Sequence, residues 1–197
     1  MSFQKLTKLE LSFHEAGHAY AFAALMKYDT PTEMCVTKDD NGSPYGWCRR
    51  KEVLERQVRF ASLTPDIRPS WIWQAEIETA IAIAGPLAEF RQRLRSRLNG
   101  ALFALQYAEF FLHPNTFDTE GDFQRIRDSL AHIEDPDPLA TLKRMIEVAD
   151  DILAANWSKV KRLARLLFER GELNEYELRA WFDRHPARFH HHPLQAV

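Results

Sequence analysis

The sequence has little cysteine, little glycine or proline, no excess of either charge and no long apolar run. Two cysteines in 197 residues cannot build a disulfide scaffold, and such sparing use fits a reducing compartment. Gly 7 and Pro 10 are too few for a collagen-like or low-complexity chain. With 26 basic and 28 acidic residues the net charge is −2, which argues against a dedicated nucleic-acid partner. The longest apolar stretch, Ala80 to Ala88, falls far short of the ~20 residues a membrane-crossing helix needs, and Pro86 interrupts it. Met1 to Lys8 lack the apolar centre of a signal peptide. These absences lead to the expectation of a cytoplasmic chain with no membrane partner. No G-x-x-x-x-G-K-[ST] phosphate loop occurs, so the sequence carries no nucleotide-driven motor.

What is there suits a folded protein. A hydrophobic share of 45% excludes wholesale disorder, and the length suits one domain. The spacing predicts a domain over residues 1–185 and a flexible tail over 186–197, since the chain should fray after His185-Pro186. The expected fold class is mainly α with a small β-ribbon (α+β).

Thr7-Lys8-Leu9-Glu10 reads as a capping box opening a helix that runs to about Lys27, with Leu9, Phe13, Ala16, Tyr20 and Ala24 on its buried stripe. Residues 32–50 read as a β-ribbon turning at Asp39-Asp40-Asn41-Gly42. A two-residue turn centred on Asn41-Gly42 would set Cys35 opposite Cys48, although free thiols suit a reducing compartment better than a disulfide. Residues 51–69 are loop-like. A helix follows from about Ser70, kinked by Pro86 and ending at Asn99-Gly100. Further helices are expected over 101–112, from about Asp118, over 138–170 with a break near Asn156, and from Asn174, where Glu177 completes a second capping box. Arg91, Arg93, Arg95 and Arg97 alternate round a helix and suit a solvated surface rather than a phosphate track. Trp71 and Trp73 suit core packing better than a substrate groove, and His190-His191-His192 a mobile tail.

The chemistry concentrates in His14-Glu15-Ala16-Gly17-His18. Residues four apart on a helix project from one face, so His14 and His18 can present two ring nitrogens to one zinc ion. Glu15, one residue round the cylinder, can reach water at the metal without being a ligand. The small residues Ala16, Gly17 and Ala19 would let another element pack close. Zinc still needs a third ligand, and Glu89, His113, Asp118, Glu120 and Asp122 are all candidates that spacing does not separate. The bland alternative is an exposed helical glutamate flanked by two ordinary histidines.

The same residues resemble a known family. His14-Glu15-Ala16-Gly17-His18-Ala19 looks like the zinc helix of the peptidase domain in FtsH-type membrane AAA+ proteases. Ala84-Gly85-Pro86-Leu87-Ala88-Glu89 is similar to that family's G-G-R-A-A-E segment, and Gly121-Asp122-Phe123 to its N-D-L/I. The stretch from Ile152 to Leu178 is similar to its C-terminal helical pattern, so the likeness spans roughly residues 5–183 in the family's order. Pro86 stands where the family has Arg, Gly121 where it usually has Asn, and the interval from Glu89 to Asp122 is longer.

The resemblance implies a zincin-like helix within a helical FtsH-peptidase-like domain. It further implies Asp122 as third zinc ligand and Glu89 as the acid that holds a ligand imidazole from behind. By the same resemblance, the β-ribbon would take an extended peptide as an added strand. The expected function is a zinc-dependent, ATP-independent endopeptidase cleaving unfolded or flexible polypeptides, with a separate ATPase or adaptor as a conceivable partner. The alternative is a catalytically silent, peptidase-like interaction module, against which the presence of Glu15 counts. Oligomeric state is not legible in the sequence.

Overall fold

The computed structural model describes residues 6–26, 29–38, 40–49, 67–106, 108–113 and 121–189. Helix α1 (Lys8–Leu25) opens on the expected capping box, with Thr7 and Glu10 each bonded to the other's backbone. Strands β1 (Glu33–Lys38) and β2 (Pro44–Arg49) form the ribbon. Helices α2 (Arg68–Arg93), α3 (Arg97–Gln106), α4 (Ala108–Leu112), α5 (Asp122–His132) and α6 (Pro138–Arg170) follow. A short strand β3 (Glu172–Asn174) and helix α7 (Glu175–Arg184) complete the described elements. The fold is therefore mainly helical with one small antiparallel sheet, as expected for α+β. Among the described residues, no helix is long and apolar enough to cross a membrane.

The core lies where α1, α2 and α6 pack on one another. Gly17 makes the α1–α2 approach possible: a Cβ there would lie 2.8 Å from that of Ala88 and collide with the backbone at Ala84. The small residues beside the histidines thus serve the close packing their sequence suggests. Helix α6 supplies the long wall, with Leu142, Met145, Ile146, Ile152, Leu153, Val160, Leu163 and Leu167 fully buried. Burial of each such side chain contributes about 1.5–3 kcal/mol.

Several local expectations change. The ribbon gains a third member, giving strand order β2-β1-β3 with both pairings antiparallel. Its register sets Cys35 opposite Trp47 and Cys48 opposite Met34. That is one residue away from the Cys35–Cys48 pairing, and a slip of one places the two thiols on opposite faces; no disulfide joins them. Asn99-Gly100 does not end a helix. The chain turns at Arg95, which takes a left-handed φ of 50°, and Ser96 then accepts from the Asn99 backbone to open α3. Gly100 sits inside α3, where a Cβ would press on the Arg91 backbone at 3.1 Å. Pro86 lies inside α2, as expected, without ending it.

Helix α6 is also unbroken at Asn156. Its buried amide donates to Ile152 O and Arg188 O, at 2.8 and 2.7 Å, and accepts from Arg188 N at 2.9 Å. Residues 186–189, expected to fray, are held by these bonds, and Ala187 and Phe189 pack against the core. The remainder of the expected tail, His190-His191-His192 included, lies outside the described residues, as do residues 51–66 of the expected loop. Arg91 stacks on Trp157 at 4.3 Å and Arg97 pairs with Asp150 at 2.7 Å, so the arginine run ties helices together. Trp71 stacks on His132 and Trp73 packs against the core.

Candidate metal centre

Two turns of α1, the first turn of α5 and strand β2 enclose one open cleft. It is lined by His14, Glu15, His18, Pro44 to Cys48, Gly121, Asp122 and Arg125, together with Leu11. Its volume of about 510 Å³ falls within the range of ligand-binding sites.

Helix α1 sets His14 and His18 on one face, their ring centroids 4.7 Å apart. Asp122, first residue of α5, reaches both from more than a hundred positions along the chain. Its Oδ2 accepts from His14 Nε2 at 2.8 Å and stands 3.1 Å from His18 Nε2. The three donor atoms lie within 4.8 Å of one another. Bonds of 2.0–2.1 Å to a tetrahedral zinc ion would space such atoms about 3.3 Å apart. Two nitrogens and one carboxylate oxygen, already near that spacing, fit a divalent cation with a position left for water or substrate.

The far side of each imidazole decides which nitrogen presents a lone pair. A carbonyl oxygen only accepts, so the 2.8 Å contact between His18 Nδ1 and Ile81 O puts the proton on Nδ1 and leaves Nε2 for a ligand. His14 Nδ1 faces Glu89 Oε2 at 3.5 Å, longer than a full hydrogen bond, and that nitrogen has no closer acceptor among the described residues. Glu89 also pairs with Arg93 at 3.1 Å. Glu89 therefore stands between the Arg93 guanidinium and the His14 ring.

Charge follows this geometry. Burial alone would lower the His14 pKa, but its hydrogen bond to Asp122 and the neighbouring carboxylate of Glu89 outweigh it and hold the ring well above its usual value. Burial pushes the Asp122 carboxyl up, and the charge of His18 with the bonds from both rings overcomes this, leaving it well below the usual carboxylate range. Glu15 is buried and its pKa is raised by that burial, with His14 and His18 pulling partly the other way. An acid raised toward neutrality is suited to accepting and returning a proton.

Glycines make the room. A Cβ on Gly85 would collide with His18 Nε2 and lie 2.9 Å from His14 Cδ2, and one on Gly46 would lie 2.9 Å from Glu15 Oε1. Sequence reading took Gly85 only as part of a segment and passed over Gly46. Both carried a signal, because a lone glycine inside an apolar helix or strand marks a close approach. Arg125, also missed, places its guanidinium 3.9 Å from Asp122 Oδ1 at the cleft mouth.

Of the other ligand candidates, Glu89 faces His14 Nδ1 from behind and is not one of the three converging groups. His113 is exposed beyond α4, where its carbonyl accepts from Arg127. Asp118 and Glu120 lie outside the described residues, as does Thr119; the first turn of α5 begins at Gly121 with no side-chain cap. No protein-family model matches the chain and no curated protein matches it, so a functional reading stands on the geometry of His14, Glu15, His18, Glu89 and Asp122 alone.

Proposed function

We propose that the chain is a zinc-dependent endopeptidase of the FtsH peptidase-domain type, acting without ATP on unfolded or flexible polypeptides. One observation carries the reading: His14 Nε2, His18 Nε2 and Asp122 Oδ2 converge, from two segments far apart in sequence, in the cleft that also holds Glu15. A bare H-E-x-x-H match has no reason to meet a distant carboxylate.

His14, His18 and Asp122 would hold the metal. A bound zinc ion supplies Lewis acidity, making water more acidic and polarising a carbonyl oxygen. Glu15 takes the proton of the attacking water on its carboxylate and delivers it to the leaving amine. Ile81 O and Glu89 orient the two imidazoles from behind, and Gly46 leaves the Glu15 carboxylate its space. Among the described residues, strand β2 is paired on one side only, and it lines the cleft from Pro44 to Cys48. A substrate laid along it as an added strand must have its own backbone unpaired, which favours unfolded chains.

The test is to measure metal content and casein cleavage for the wild type and Glu15→Gln. Stoichiometric zinc in both, with cleavage reduced at least ~100-fold in the variant, is expected. Zinc bound by a wild type that cleaves no unfolded substrate would leave the silent interaction module as the reading.

A further inference from the structure

The two imidazoles differ in what stands behind them. His18 leans on a main-chain carbonyl. His14 faces a side chain, and that side chain is itself held. Glu89 is 6% exposed, and a carboxylate so deeply placed needs a fixed counter-charge. Arg93, one turn further along α2, supplies it: Nη1 reaches Glu89 Oε1 at 3.1 Å while Nε reaches Glu10 Oε1 at 2.8 Å. Glu10 is immobilised in turn, because its Oε2 accepts from Thr7 N at 2.7 Å and Thr7 Oγ1 at 2.9 Å. The guanidinium therefore spans two carboxylates on two helices, and its planar fork fits both at once.

We infer that Arg93 is a positioning residue for the metal centre: through Glu89 it sets the ring of His14, and through Glu10 it refers that setting to the capped start of α1. This rests on the cation-binding reading of His14, His18 and Asp122. Glu89 has two oxygens. With Oε1 committed to Arg93, Oε2 is the one left for His14 Nδ1. Without Arg93 the carboxylate loses the contact that chooses its rotation, and His14 loses the fixed negative charge that faces its Nδ1 at 3.5 Å. Outer partners of this kind typically change metal affinity by ~10–100-fold.

The experiment is zinc competition against a chromophoric chelator, at fixed pH and ionic strength, on the full chain. The variants are Arg93→Met, Glu89→Gln and the two combined, with far-UV circular dichroism confirming the fold. Arg93→Met should weaken zinc binding ~10–100-fold and add little further loss once Glu89→Gln is present, because the effect runs through that carboxylate. Wild-type affinity in Arg93→Met, or losses that simply multiply in the double variant, would overturn the inference and leave Arg93 a plain inter-helix tie. Should Arg93→Met fail to fold, Arg93→Lys is read the same way. It keeps stem and charge but not the fork, and a loss of about threefold or more is expected; none overturns the inference. A wild type that takes up no zinc overturns this inference together with the metal reading, whereas zinc held equally by all the variants overturns this inference alone.

Discussion

Asn156 and Glu15 are both buried polar residues on the inward side of a helix, and they live in opposite regimes. Asn156, in the scaffold, makes three hydrogen bonds and closes the chain's end onto α6. Glu15, in the cleft, makes none among the described side chains, and lines the open pocket instead. Leaving Asn156 unsatisfied would cost about 1–3 kcal/mol, whereas a group at an open cleft keeps access to water. The contrast separates polar groups that hold the fold from those kept open for a ligand.

Gly85→Ala attacks the open side hardest. The added methyl would fall on the ligand nitrogen of His18 and crowd His14. Metal analysis of the purified variant should find no stoichiometric zinc. Overpacking of about 1–3 kcal/mol should also lower Tm by about 2–12 °C at this chain length. A fully loaded variant of unchanged Tm would show that the helices yield here.

Chelation sharpens the contrast from the other direction. If the open groups await a cation, wild type with zinc at about a hundredfold excess over Kd gains about 2.7 kcal/mol. Removing it with a chelator should then lower Tm by about 5–10 °C in calorimetry, with no such drop in His14→Ala.

Asn156→Ala is the smallest and the most selective. It leaves the Arg188 backbone short of two partners, which should remove about 1–2 kcal/mol and roughly 2–8 °C of Tm. Zinc affinity should stay at the wild-type value; a fall would mean that scaffold and cleft are not separable.

Legibility in the sequence followed the range of the interactions. Thr7–Glu10 and Asn174–Glu177 were readable because a cap is decided within four residues. His14 and His18 were readable because helical spacing fixes their common face. Asp122 came only through resemblance, since nothing local distinguishes it from Asp118 or Glu120. Strand β3 has three residues, too few to show a period, and exists because β1 offers it an edge. The ribbon's register turned on the loop between Lys38 and Pro44 being longer than a two-residue turn. Arg93 was legible by half: its pairing with Glu89 lies four residues apart on one helix, whereas Glu10 meets it only after α1 and α2 have packed.

That three-residue strand has a consequence of its own. Strand β1 sits between β2 and β3, and Val36 N also donates to Gly171 O at 2.7 Å. The wall of the cleft at β2 is thus moored, through β1, to a stretch that follows the longest helix. A shortened chain ending before Glu172 would retain every side chain proposed to hold the cation and yet leave a lone hairpin, an arrangement marginal in water. The smallest self-sufficient unit of this protein therefore extends some fifty residues beyond its last chemical group.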